Sequence, residues 1–204
     1  NDEDPESDRI WVAGYVVREP ARLPSSWRSR RSLDDELAGQ GVVGISGVDT
    51  RAVTRHLRDR GAMRAGISTV TTSADALRAR VLTSPPMAGA DLTADVTTPR
   101  SYVVPAIRER RYAVTAIDLG IKAMTPIRMA QRGIETHVLS ASADIDDVLA
   151  LEPDGLFMSN GPGDPATADH AVDLLTEALA RRLPFFGICF GHQILGRALG
   201  FGTY

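Results

Sequence analysis

Leu183-Pro184-Phe185-Phe186-Gly187-Ile188-Cys189-Phe190-Gly191-His192-Gln193-Ile194-Leu195 carries three signals in thirteen residues. An apolar, β-prone run at 183–188 comes first. A cysteine framed by glycines two residues before and two after it follows. Ile194, Leu195, Ala198 and Leu199 then repeat at helical spacing until Gly200 can end the helix. Strand, glycine-framed turn and helix in that order predict a nucleophile elbow, in which the missing side chains let the backbone turn sharply and hold the central residue strained and exposed. A sulfur placed there sits beside the free N–H groups of a helix N-terminus, where the dipole favours an anion. The N–H of Phe190 would point toward a developing oxyanion.

Three further β-prone runs lie upstream, at Tyr112–Ile117, Glu135–Leu139 and Gly155–Met158, separated by segments of helical character. Strands that alternate with helices imply an α/β fold with an open, mostly parallel sheet, right-handed crossovers and helices on both faces. Thr125-Pro126 fits an N-cap and first helical position, and Gly133 fits the stop of that helix. From about Ala166 to Arg182 a helix carries Ala171, Leu174, Leu175, Ala178 and Leu179 on one stripe, which is core.

The first half has a weaker pattern. Residues 10–17 read as a strand and residues 18–36, rich in Arg, Ser and Pro, as a surface loop. A short apolar run at Val42–Ile45 precedes Asp49, an N-cap for a helix from Thr50 to about Arg60 that Gly61 closes. Val53, His56 and Leu57 share a face of it, so His56 reads as a packed or half-buried histidine and not as a ligand. A second helix runs from about Ala74 to Leu82, and residues 83–111 read as loop and linker. These signs divide the chain into residues 1–104, part of a smaller α/β domain with its linker, and residues 105–204.

With 43% apolar and 24% charged residues the chain has the composition of a packed globular protein. A formal charge of -3 supplies no basic stripe for nucleic acid. No run reaches the roughly 18–20 apolar residues that span a bilayer. The single cysteine can form no disulfide within the chain, and a reactive thiol points to the reducing cytoplasm. The acidic start without methionine and the stop at Tyr204 read as cut ends.

In an open α/β sheet ligands bind outside the carboxyl ends of the strands. The run at 155–158 leads into Ser159-Asn160-Gly161-Pro162-Gly163-Asp164-Pro165, a rigid turn able to present bare backbone N–H groups. It should lie on the same sheet edge as the elbow. Together, Ser159–Pro165 and Gly187–Gln193 resemble the class I glutamine amidotransferases. Asp118-Leu119-Gly120-Ile121-Lys122, Asp49-Thr50-Arg51 with Thr54-Arg55, and Asn1-Asp2-Glu3-Asp4 resemble the glutamine-hydrolysing small subunits of carbamoyl phosphate synthetases.

The resemblance implies that Cys189 attacks the side-chain amide of L-glutamine, forming a γ-glutamyl thioester and releasing ammonia. It places the oxyanion donors at the N–H groups of Gly161 and Phe190 and further substrate contacts at Gly163 and Gln193. Phe190 stands where the family commonly has leucine, which puts the pocket's shape in question. The ammonia is expected to feed a large synthetase subunit that makes carbamoyl phosphate for arginine and pyrimidine biosynthesis. That partner would carry the ATP and Mg, with no cofactor or metal in this chain. The family's base, a histidine in a His-x-Glu stretch, is expected beyond Tyr204, since His56, His137, His170 and His192 have no suitable relation to Cys189. Another class I amidotransferase or cysteine hydrolase, and a non-catalytic docking subunit, are the alternative readings.

Overall fold

The computed structural model describes residues 6–7 and 9–202. The acidic opening Asn1-Asp2-Glu3-Asp4 lies outside the described residues. Two compact units divide the chain between Met87 and Ala88.

The first unit pairs two short parallel strands, β1 (Gly14–Val16) and β2 (Val43–Ile45). Between them lies α1 (Leu33–Gly39), inside the stretch read as a loop. Its N-cap Ser32 side chain accepts a hydrogen bond from the Asp35 N–H while the Asp35 carboxylate accepts one from the Ser32 N–H, so a polar stretch still nucleates a helix. Leu37 is its buried residue. Helix α2 (Thr50–Arg60) matches the expected span, with Asp49 accepting from Ala52 N–H at 3.0 Å and Gly61 at φ 81° ending it. The burial expected of His56 is corrected, because no residue of α2 is buried and the Val53, His56, Leu57 face is exposed. Two strands of three residues are too small to cover it. Helix α3 (Ala74–Thr83) is capped by Ser73.

The second unit begins before residue 105. A short helix, α4 (Thr93–Val96), and β3 (Tyr102–Val104) both belong to it, and β3 pairs antiparallel with β5 (Ile134–Ser140). A three-residue edge strand among prolines carries too little periodicity to be read from sequence. The sheet order is β3-β5-β4-β6-β7, with β4 (Tyr112–Asp118), β5, β6 (Gly155–Met158) and β7 (Phe185–Gly187) all parallel. The expected open, mostly parallel α/β sheet is therefore present.

Alternate residues of the strands feed two cores, as the period of two requires. Ile117, Leu139, Leu156 and Met158 join the larger cluster, while Ala116, Val138 and Phe157 join the other. Leu174, Leu175 and Ala178 of α7 (Asp169–Ala180) and Phe190 and Ile194 of α8 (Phe190–Ala198) complete the first cluster. Met129 of α5 (Met124–Ala130) packs on the second. Each fully buried Leu, Ile or Met side chain contributes roughly 1.5–3 kcal/mol. Helices thus cover both faces.

Two local expectations shift. Helix α5 starts at Met124 with Ala123 as its cap, so Thr125 is inside the helix and Pro126 in its first turn, where a missing N–H leaves no bond unmade. The helix expected from Ala166 is split. Pro165–Thr167 forms a 3₁₀ turn capped by Asp164, and α7 starts only after Ala168 leaves helical geometry. One further short helix, α6 (Ile145–Leu149), follows β5 under an Asp144–Asp147 capping box.

Candidate active site

All four parallel strands end at one edge of the sheet, and their exits are laced together. Ile188 N–H extends the β7 pairing to Met158 O at 3.1 Å, and the chain then reverses at Cys189, φ 51° and ψ -104°. Such a backbone costs about 1–3 kcal/mol and persists only where the surroundings impose it. Here Gly191 N–H is shared between Ser159 O at 3.1 Å and Ile188 O at 3.0 Å, and Gln193 N–H bonds Cys189 O at 3.0 Å.

Both framing glycines are obligatory on steric grounds. A Cβ at Gly187 would lie 2.6 Å from the Gly191 carbonyl, and one at Gly191 would lie 2.3 Å from Met158 O. The outcome is an exposed Cys189 thiol at the N-cap of α8, directly before a Phe190 side chain that is only 2% exposed. Phe190 therefore fills the core and leaves its backbone to the site.

The loop after β6 begins with Ser159, fully buried. Its hydroxyl donates to Asn160 O at 2.7 Å and accepts from Leu119 N–H at 2.9 Å, while its own N–H bonds Ile117 O at 3.2 Å. Asn160 Nδ2 donates to Gly120 O at 2.8 Å. Gly161 rests so closely on the turn after β4 that a Cβ would meet Leu119 O at 2.3 Å. That turn is organised by the buried carboxylate of Asp118, which accepts from Gly120 and Ile121 N–H at 2.8 and 2.7 Å and from Thr98 N–H at 2.8 Å. Gly163, at φ 96°, packs against Ala90 O, where a Cβ would come within 2.8 Å.

Among the described residues, neither Gly161 N–H nor Phe190 N–H donates to another protein group. The first helical N–H of α8 has no intrahelical acceptor in any case. Two bare donors, a solvent-accessible thiol and an exposed Gln193 one turn along α8 thus belong to adjoining strand exits of one sheet edge. Such a set suits attack on a carbonyl carbon with the resulting oxyanion held by backbone.

Among the described residues no histidine hydrogen-bonds the thiol. His137 pairs with Glu135 at 3.1 Å in mid-strand, His170 bonds Ala143 O at 2.9 Å, and His192 is exposed. Sequence reading missed Asp118, Ser159 and Asp164, whose short polar side chains organise backbone. Their one signal is position, immediately at or after strand ends.

Asp164 closes the loop. Gly89 N–H bonds its Oδ2 and Ala166 N–H its Oδ1, each at 2.8 Å. These two bonds, Gly89's first, hold its carboxyl below the usual carboxylate range, and the Arg197 guanidinium adds to the effect. Arg197 itself donates to Pro165 O at 2.8 Å and to Asp169 Oδ1 at 2.7 Å, which ties α8 to the same loop.

Known proteins share this arrangement of sequence. Residues 115–204 match the family model for class-I glutamine amidotransferases, and residues 1–67 match that for the CPSase domain of the carbamoyl-phosphate synthase small chain. The carbamoyl phosphate synthase small chain of Streptomyces coelicolor is 66% identical over 206 residues, covering 100% of this chain and 54% of that protein. That of Streptomyces avermitilis is also 66% identical with the same coverage, and that of Mycobacterium tuberculosis is 53% identical, with 100% of this chain and 56% of the relative covered. The chain spans about half the length of the curated relatives it matches. The chain is similar over its whole length to carbamoyl phosphate synthase small chains, and its second half carries the class-I glutamine amidotransferase fold.

Proposed function

We propose that this chain carries the nucleophile and oxyanion site of a glutamine amidotransferase that supplies ammonia to a carbamoyl phosphate-forming synthetase. The observation that carries the reading is the strained, exposed Cys189 between two glycines that no larger residue can replace. L-Glutamine enters at the carboxyl edge of the sheet with its side-chain amide at the thiol. The thiolate adds to the amide carbon, and the N–H groups of Gly161 and Phe190 receive the developing oxyanion. Protonation of the amine and cleavage of the C–N bond release ammonia and leave a γ-glutamyl thioester; water then cleaves the C–S bond and frees glutamate. Gly163 and Gln193 contact the substrate. A base and acid for these proton transfers is required. The ammonia passes to a large synthetase subunit that holds ATP and Mg, in the cytoplasm, serving arginine and pyrimidine synthesis.

The test is covalent labelling of the chain by a glutamine-derived chloroketone. Mass spectrometry should find the adduct on Cys189, with saturable kinetics and protection by glutamine. Labelling that is unsaturable and insensitive to glutamine overturns the reading.

A further inference from the structure

The loop that presents Gly161 is anchored at both ends, and the two anchors differ in kind. At its start Ser159 is buried and bonded to the strands themselves. At its end the anchor is the segment that opens the second unit. Gly89 N–H bonds Asp164 Oδ2 at 2.8 Å, Asp164 N–H returns a bond to Ala90 O at 2.9 Å, and Gly163 lies flat on Ala90 and Leu92. The same segment reaches two more strand exits. Val96 packs on Gly120, Thr98 N–H bonds Asp118 at 2.8 Å, and Thr97 Oγ1 accepts from Ala141 N–H at 2.8 Å. Residues 89–98 therefore run along the active edge as a strap.

We infer that Asp164 is a positioning residue that latches this strap to the oxyanion loop and so sets where the Gly161 N–H points. The inference rests on the glutamine-site reading above. Between the anchors lie only Asn160, Gly161, Pro162 and Gly163; Asn160 is tied to Gly120 O, and Gly161 is pressed onto Leu119. Release of the Asp164 side chain leaves that short turn with the Asn160 bond to Gly120 O, the Arg197 bond to Pro165 O and a single backbone bond to the strap, Asp164 N–H to Ala90 O, so the donor's direction is less closely fixed while Cys189 keeps its own support on Ser159 and Ile188. Asp164 touches no reacting atom in this scheme.

The experiment compares the full chain with Asp164→Asn and Asp164→Ala using two reagents and amide exchange. A glutamine-derived chloroketone presents a carbonyl to the oxyanion donors while the Cys189 thiolate displaces chloride. Iodoacetamide displaces iodide at a saturated carbon and draws little on them. The latch predicts that chloroketone labelling slows by about 10-fold or more in Asp164→Ala and less in Asp164→Asn, which keeps one acceptor oxygen. Iodoacetamide labelling should stay within about two-fold of the parent, on the same premise. Deuterium exchange at the Gly89 amide should rise in both variants. An equal fall with both reagents would mean general damage to the elbow, and unchanged chloroketone labelling with unchanged Gly89 exchange would mean no latch; either overturns the inference. Should the parent chain show no saturable chloroketone reaction, the glutamine reading fails separately. Exchange at Gly89 and across residues 161–163 then decides whether the latch orders the loop.

Discussion

Gly191→Ala is the most economical perturbation of the elbow, because a single methyl group is added and its destination is known. The new Cβ would sit 2.3 Å from Met158 O, 2.8 Å from Met158 C and 2.9 Å from Met158 Cβ. Ordinary contact starts near 3.4 Å, so α8 and β6 must separate by 3.4 - 2.3 = 1.1 Å at that point. Met158 is fully buried and its oxygen already accepts the Ile188 N–H, so the yielding partner is the turn that carries Cys189. A displacement of about 1 Å at a reacting centre costs on the order of 10² in rate, or about 2.7 kcal/mol of activation free energy. Overpacking should also remove roughly 1–3 kcal/mol of stability. The assay is the second-order rate of Cys189 labelling by a glutamine-derived chloroketone, alongside urea unfolding. Gly196→Ala on the same helix is the internal control. Nothing lies within 4 Å of its Cβ, so labelling should be unchanged and stability raised by about 0.5–1 kcal/mol from helix propensity. If Gly191→Ala labelled within two-fold of the parent and melted alike, close packing of the elbow on β6 would not be what places the sulfur.

Gly161→Val drives a side chain into Leu119 O, and should slow chloroketone labelling by about 10² if one oxyanion donor is misplaced; a normal rate would reduce the loop to a plain turn. Asp164 has a lowered folded-state pKa, so its contribution is complete above the ordinary value of 3.8 and is lost as pH falls through the lowered one. Melting temperatures of the parent and Asp164→Asn should accordingly differ at neutral pH and converge in acid, and a constant gap would contradict the assignment. Cys189→Gly removes the Cβ from a backbone at φ 51° and should raise stability by about 1 kcal/mol while abolishing labelling, whereas Cys189→Ala should abolish labelling with no such gain; equal unfolding midpoints for the two would show that the turn stores no strain.

What could be read in advance followed from strong periodicity. Gly155–Met158 is a continuous apolar run between turn residues, and its strand ends where the run ends. Thr50–Arg60 has an acidic cap and a glycine stop, and its bounds were legible for that reason even though none of its residues is buried. Burial was not legible there, since a stripe of Val53, His56 and Leu57 records a pattern and not whether anything covers it. β3 escaped because a three-residue antiparallel edge strand has one period of alternation at most. Consequently the sequence pattern puts the boundary at 104–105, whereas the second compact unit takes in everything from Ala88.

The site shows the same division at smaller scale. The turn at Cys189 and the tight loop at Gly161 and Gly163 were legible because backbone geometry demands glycine there, and a missing side chain is visible in a sequence. Asp118, Ser159 and Asp164 act by the opposite device, a short polar side chain that holds N–H groups of neighbouring turns, and such residues are common at every loop. Ser159 shows why the second device is needed. Its carbonyl receives Gly191 of the elbow and its hydroxyl receives Leu119 beside the Gly161 loop, so one buried residue fixes the Cys189 turn and the Gly161 loop to a common origin. Glycines permit the close approach of the three strand exits, but permission alone leaves many conformations available. The polar side chains select one of them, and the rigid relation between thiol and backbone donors comes from that selection.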